Sequence, residues 1–160
     1  MPKEIEHKFL VACDKLPRRL PKGEHLLQGY LCCDPPIRVR VVSQGAAKSA
    51  FLTIKGRGLR VRDEFEYPIP VSHARQLLRL CGKRIISKTR RRIGRWELDE
   101  FKGRHKGIWL AEYELRAGET LPSLPAWINR EVTQDARYSN VNLAFCRASL
   151  KKMFKSQLAL

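Results

Sequence analysis

Glu4-Ile5-Glu6-His7-Lys8-Phe9-Leu10-Val11, close to the start of the chain, is the stretch whose reading decides the fold. As a β-strand it points successive side chains to opposite faces. Glu4, Glu6 and Lys8 share one face, and Ile5, His7, Phe9 and Val11 share the other. The two carboxylates then stand about 7 Å apart at the usual rise per strand residue. Two like charges at that spacing give a fold nothing by themselves. They need solvent, cationic partners or a hard metal ion.

The remaining 152 positions have to supply that partner, and the charge count favours cations. The 160 residues suit one domain with a sizeable core. Lys and Arg number 32 against 16 Asp and Glu, a formal charge of +16. Such an excess concentrates polyanions at a surface or in a cleft, and it leaves nucleic acid, nucleotide, inorganic polyphosphate and anionic membrane open. The five cysteines (Cys13, Cys32, Cys33, Cys81, Cys146) form no C-x-x-C pair and are odd in number. They signal neither a disulfide framework nor a zinc site, and reduced thiols in a cytoplasm are expected. The first eight residues carry four charges, so a secretory leader is not expected. No apolar run is long enough to span a bilayer.

Downstream, strict alternation predicts further strands. Gln28 to Leu31 is strand-like, and after Pro35-Pro36 residues 37–42 place Arg38 and Arg40 on one face. Gly45 to Ser49 reads as a turn, residues 51–55 as a strand, and Gly56-Arg57-Gly58 as a hairpin signal. Residues 59–69 set Arg60, Arg62, Glu64 and Glu66 against Val61, Phe65 and Tyr67. Ser72 is placed to cap a helix ending at Cys81-Gly82. Lys88, Arg90 and Arg92 share one side of a strand over 84–93, and strands over 95–101 and 108–116 follow. Residues 122–131 read as a loop with a short helix around Trp127 and Ile128, and Asn140 as the cap of a helix over 140–150 with a basic tail beyond.

For any one of these strands, a sheet with one wet face explains the charges. The set asks for more, because acidic pairs (Glu4/Glu6, Glu112/Glu114) come from both ends of the chain and cationic pairs from between. A closed antiparallel barrel with its charged faces turned inward brings the rows into one cavity. The apolar outer faces would then be covered by the helices over 72–81 and 140–150. The fold class expected is therefore predominantly β with flanking helices: an antiparallel tunnel barrel with a charged interior. Mg²⁺ suits such a site, since it takes a few carboxylate oxygens and bridges to phosphates.

The motifs then meet a known family. Glu4-x-Glu6-x-Lys8 resembles the signature of the CYTH, or triphosphate tunnel metalloenzyme, superfamily. So, in order, do Gln28-Gly29-Tyr30-Leu31, Arg38-Val39-Arg40, Leu52-Thr53-Ile54-Lys55-Gly56, Glu64-Phe65-Glu66-Tyr67, Ile86-x-Lys88-Thr89-Arg90, Trp96-Glu97-Leu98-Asp99 and Leu110-Ala111-Glu112-Tyr113-Glu114-Leu115. Asp135-x-Arg137-Tyr138 and Asn142-Leu143-Ala144 complete the series, which runs from residue 3 to about 145. The resemblance implies a barrel of about eight antiparallel strands, one CYTH domain over 1–160 with its core at 3–150, and hydrolysis with Mg²⁺ or Mn²⁺. It favours inorganic triphosphate as substrate. Nucleoside or thiamine triphosphate hydrolysis and adenylate cyclisation are alternatives on the same scaffold, and a non-catalytic polyphosphate or nucleic-acid binder is the alternative of another class. A homodimer is left open.

Carried over by position, the resemblance makes Glu6, Glu112 and Glu114 ligands of one metal. Glu4, helped by Asp99, would hold a second that activates water. Lys8, Arg38, Arg40, Lys55, Lys88 and Arg90 would clamp phosphates, with Arg62 and Arg137 as further contacts, and Tyr30 would help position water or phosphate. Glu64 and Glu66 would balance the clamp or join the metal shell. Glu4, Glu6, Lys8, Tyr30 and Lys88 form the catalytic set. The sequence departs from the family pattern at His7, where arginine is common, at Ser139, where a second tyrosine is common, and in the added charge of Arg91-Arg92. Cationic self-repulsion leads to one more expectation: losing Lys8, Arg38 or Arg90 singly leaves the fold intact or firmer.

Overall fold

The structure, a computed structural model, describes residues 3–58 and 60–146, with side chains from Ile5 onward. The side chain of Glu4, the predicted extension of the last helix to 150 and the basic tail lie outside the described residues. Nine strands occur among those described: β1 (Lys3–Val11), β2 (Glu24–Cys33), β3 (Pro36–Gln44), β4 (Ala47–Lys55), β5 (Val61–Pro68), β6 (Ile85–Ile93), β7 (Trp96–Phe101), β8 (Trp109–Leu115) and β9 (Ile128–Glu131). Two helices, α1 (Val71–Cys81) and α2 (Asn140–Phe145), accompany them.

The order β5-β4-β3-β2-β6-β7-β8-β1 closes on itself because β1 also pairs with β5. Every pairing is antiparallel, so eight strands form a barrel without a free edge. The expected turn at 45–49 is shorter than the sequence suggests, since β4 starts at Ala47. Residues 128–131, expected as part of a short helix, are extended as β9 and pair with the far end of β1. That pairing depends on an edge of β1 that β5 leaves free, which no local pattern near residue 128 records.

Inward positions form rows that change character along the barrel. Lys8, Lys88, Asp99 and Glu112 face in, and two residues further along the same faces come Leu10, Ile86, Phe101 and Leu110. These apolar residues pack with Tyr138, Leu143 and Ala144 in one buried cluster. So α2 stoppers one end of the barrel rather than covering its outside, which corrects the role expected for the last helix. Its cap is Ser139, whose hydroxyl accepts from the Asn142 N–H, and not Asn140. Arg104 and His105 hold its last turn by donating to the Leu143 and Ala144 carbonyls.

The outside is covered twice. α1 lays Ala74 and Leu78 on Val39, Val41 and Ala50. Helix and sheet approach so closely that a Cβ at Gly29 would lie 2.7 Å from the Cys81 sulfur and 2.7 Å from Ile85. The helix starts one residue before Ser72, directly after Pro70, so the expected serine cap is absent. Across the barrel, Phe9, Trp96, Leu98, Ala111, Tyr113 and Trp127 form a second cluster. His7 lies buried on this outer side of β1.

Leu143 is fully buried at the centre of the stopper. Leu143→Ala should lower unfolding stability by about 2–5 kcal/mol, read from urea denaturation.

Candidate active site in the barrel

The stopper leaves a cavity of about 750 Å³ in the other half of the barrel. Nine cationic side chains line it (Lys8, Arg38, Arg40, Lys55, Arg62, Arg90, Arg92, Arg95, Arg116) against six glutamates (Glu6, Glu64, Glu66, Glu97, Glu112, Glu114). The imbalance makes the cavity a trap for anions. Exposed Arg95, Arg116 and Ala117 frame its mouth, and Ser139, Asn140 and Val141 from the start of α2 form part of its floor.

Each wall is a strand pair. β1 and β8 set Glu6 opposite Glu114 and Lys8 opposite Glu112. The Lys8 ammonium lies 3.4 Å from Glu6 and 3.1 Å from Glu112, and Arg62 lies 4.0 Å from Glu6. On the facing wall, β3, β4 and β5 gather Arg38 and Arg40 on one oxygen of Glu66, at 3.3 and 3.1 Å. Thr53 donates to the same oxygen at 2.8 Å, and Lys55 pairs with Glu64 at 2.7 Å. Tyr30 stands beside them, receiving a hydrogen bond from the Gln28 amide at 3.3 Å. The Nε–H groups of Arg38 and Arg40 are buried without a hydrogen-bond partner.

Arg90 ties the floor together. Its guanidinium donates to both oxygens of Asp99 at 2.7 Å and to Glu112 at 2.6 Å, and it pairs with Glu97. Lys88, below it, donates to Asp99 at 2.5 Å and faces the Asn140 side-chain oxygen at 3.5 Å.

The profile of the CYTH domain matches residues 2–144. The chain belongs to the CYTH family. An inorganic triphosphatase of Acetivibrio thermocellus is 42% identical to this CYTH protein over 151 residues, which is 89% of this chain and 94% of the relative. An inorganic triphosphatase of Nitrosomonas europaea is 35% identical over 154 residues, 88% of this chain and 96% of the relative. A crystal structure of an inorganic triphosphatase superposes with a TM-score of 0.62 at 32% identity, covering 93% of this chain and 99% of that one.

The residues expected at the site divide in this CYTH barrel. Glu6, Lys8, Tyr30, Arg38, Arg40, Lys55, Arg62, Glu64, Glu66, Arg90, Glu112 and Glu114 all line one cavity. Asp99 and Lys88 face inward but are sealed beneath Arg90, outside the lining set, so Asp99 neutralises buried cations rather than presenting oxygens to the cavity. Arg137 is also corrected: it sits exposed at the Ala136–Tyr138 turn with its guanidinium on Asp135, at 2.8 and 2.6 Å, away from the cavity. The backbone of Glu4 pairs with that of Arg62, next to the wall. Sequence reasoning missed Arg92, Glu97, Arg95, Arg116 and the α2 residues as lining groups. Alternation placed Arg92 with Lys88 and Arg90, and Glu97 with Asp99, on inward faces; the others gave no such signal.

Ionisation follows from these contacts. Burial works against charge on Lys8, but Glu112 and Glu6 outweigh it and hold the ammonium well above its usual range. Burial likewise opposes the Glu112 carboxylate, and Lys8 and Arg90 still keep it far below its ordinary range. Arg40 goes the other way: burial, then Arg38 beside it, lower it to about 10. That face of the cavity holds more positive charge than Glu66 can balance. Burial and Arg90 push Lys88 down to about 8 despite Asp99. Burial raises Tyr30, keeping it a neutral phenol that can donate a hydrogen bond.

Among the described residues, no three acidic, imidazole or thiol groups already converge as a cation site. The donor chemistry nevertheless suits a hard divalent ion. Glu6, Glu112 and Glu114 offer carboxylate oxygens from two paired strands, and a cation (the Lys8 ammonium) already lies between two of them.

For Arg90, geometry reverses the expectation that losing this cation leaves the fold intact. Arg90 and Lys88 together offset the fully buried Asp99, and Arg90 also serves Glu112 and Glu97, so removing Arg90 leaves three carboxylates short of one buried charge. Asp99→Asn should cost about 3–5 kcal/mol at neutral pH, because it leaves two buried cations short of charge. Burial opposes the Asp99 carboxylate, yet Arg90 and Lys88 hold it below its ordinary range. Its contribution is therefore complete above the unfolded carboxylate range near about pH 4 and fades as pH falls through the lower folded value. Unfolding measured from pH 7 to pH 2 should show the wild-type advantage over Asp99→Asn shrinking in the acid limb.

Proposed function

We propose that this CYTH protein hydrolyses inorganic triphosphate to pyrophosphate and phosphate with a divalent metal, Mg²⁺ or Mn²⁺. The observation that carries the reading is the Arg38/Arg40 wall. Two guanidinium groups share one carboxylate, their buried Nε–H groups lack acceptors, and Arg40 is lowered to about 10 by burial and by Arg38. A polyphosphate oxygen would supply both the missing charge and the missing acceptor. The two curated relatives carry the name inorganic triphosphatase.

Glu6, Glu112 and Glu114 would hold the metal, with Glu4 as the donor for a second. A divalent ion there supplies Lewis acidity toward phosphate oxygens and lowers the pKa of water. The chain does the rest by position and charge. Arg38, Arg40 and Lys55 hold successive phosphoryl groups in line, over a floor that Arg90 fixes by its hold on Asp99, Glu112 and Glu97. Lys8, kept protonated by its two glutamates, meets the negative charge on the transferring group. Tyr30 donates its phenolic proton as a hydrogen bond without ionising. Water forms the new P–O bond, the bridging P–O bond to the pyrophosphate breaks, and the leaving oxygen keeps the electron pair and takes up the proton that the water gives up. Free thiols at all five cysteines accord with a cytoplasmic setting. Among the described residues no helix is long and apolar enough to cross a membrane.

The name inorganic triphosphatase borne by the two relatives favours the hydrolase over a non-catalytic polyanion binder. Phosphate release from triphosphate, ATP and thiamine triphosphate, each with Mg²⁺ or Mn²⁺ and with chelator, tests the proposal. Triphosphate should be cleaved fastest and chelator should abolish turnover. Glu112→Gln should lose on the order of 100-fold or more in kcat, whereas Arg40→Met should act mainly by raising KM. Equal rates with and without metal, or an unaffected Glu112→Gln, would refute it.

A further inference from the structure

Lys8 is held from outside the cavity as well as from inside it. Along the outer edge of β1, β5 pairs only as far as Ile5 and β9 begins pairing only at Phe9. In the gap, the Glu6 N–H turns to the Arg60 carbonyl at 3.0 Å, and the Lys8 carbonyl accepts from the Val132 N–H at 2.8 Å. The Lys8 N–H has no backbone acceptor on this edge. It donates instead to the hydroxyl of Thr133 at 3.0 Å.

That hydroxyl has a fixed sense. It carries one proton, and two acceptors compete for it: a Glu131 carboxylate oxygen at 2.5 Å and the Lys8 carbonyl at 3.5 Å. The nearer, ionised acceptor takes it, which leaves the oxygen lone pairs to the Lys8 N–H. The same Glu131 oxygen lies 2.7 Å from His7 Nδ1. His7, Glu131 and Thr133 do not line the cavity; Thr133 lines a small pocket of about 10 Å³ that shares Glu6, Lys8, Arg62 and Ser139 with it.

We propose that Thr133, oriented by Glu131 and His7, is a positioning residue that fixes where Lys8 stands between Glu6 and Glu112. The proposal rests on Lys8 meeting the transferring phosphoryl group. An ammonium at the end of a four-carbon stem inherits any shift of its backbone. A displacement of about 1 Å at a reacting centre costs on the order of 100-fold in rate.

The test compares wild type, Thr133→Val, Thr133→Ser and Ile128→Ala by steady-state triphosphate hydrolysis and by exchange of the Lys8 amide proton in ¹⁵N-labelled protein. Thr133→Val keeps the shape and removes the acceptor. It should lower kcat about 10- to 100-fold with KM within about threefold, while Thr133→Ser stays within about threefold of wild type in both. Ile128→Ala loosens the β1–β9 seam without touching Lys8, so it should lower the melting temperature and spare kcat. The Lys8 amide should exchange faster in Thr133→Val and as in wild type in Thr133→Ser. Equal kcat losses in Thr133→Val and Ile128→Ala, or an unchanged Lys8 amide in Thr133→Val, would overturn the proposal. A wild-type protein that cleaves no triphosphate would refute the function proposed above, and the Lys8 amide would then decide the clasp alone. Should Thr133→Val not fold, Glu131→Gln decides by the same two readouts: kcat loss with faster Lys8 exchange supports the clasp, and neither change overturns it.

Discussion

The Arg90 guanidinium, gripping Asp99, Glu112 and Glu97, is the contact on which the rest of the barrel depends. Closing a sheet around charged side chains removes them from water, and isolated buried charges cannot be sustained. Arg90 solves this by offering a planar fork to three carboxylates from two neighbouring strands. It is held far above its usual range although burial opposes it, because Asp99 and Glu112 are so near. Lys8 does the same across the next strand pair. Together they cross-link β1, β6, β7 and β8 from within by ion pairs, where most barrels use interdigitated hydrocarbon.

Balance is struck differently at different depths, and the function follows from that gradient. Deep in the barrel Asp99 answers Arg90 and Lys88, then Leu10, Ile86 and Phe101 exclude water beneath α2. Toward the mouth, cations outnumber carboxylates, and Arg38 and Arg40 must share Glu66. The deep pairs are spent on stability, while the outer cations hold unsatisfied hydrogen-bonding capacity for a multiply charged ligand. A barrel with every charge paired would be firmer and inert.

Two outlying features serve the same centre. α2 is short, but its first residues floor the cavity while its last turn is fixed by Arg104 and His105. β9 adds little area, yet it brings Thr133 and Val132 to the backbone of Lys8 where β5 has already departed. Both come from the last fifth of the described chain; β9 returns to its first strand, and α2 packs on β2 and β6.

Period-two alternation is a local property, so the sequence alone determined which side chains share a face. The inward rows Glu6/Lys8, Arg38/Arg40, Glu64/Glu66, Lys88/Arg90 and Glu112/Glu114 were legible there, and the ordered motifs made an eight-stranded barrel the natural closure. Tertiary structure alone decided that both members of four rows reach the cavity and that Lys88, in the fifth, does not. Lys88 and Asp99 became a sealed pair because their strands are registered with Phe101 and Ile86 beneath them, and Arg137 turned outward onto Asp135. It also decided that α2 plugs an end instead of flanking a wall, and that residues 128–131 extend along β1. These outcomes depend on register and edge availability between segments far apart in the chain, and a side chain's own neighbours in sequence carry no record of either.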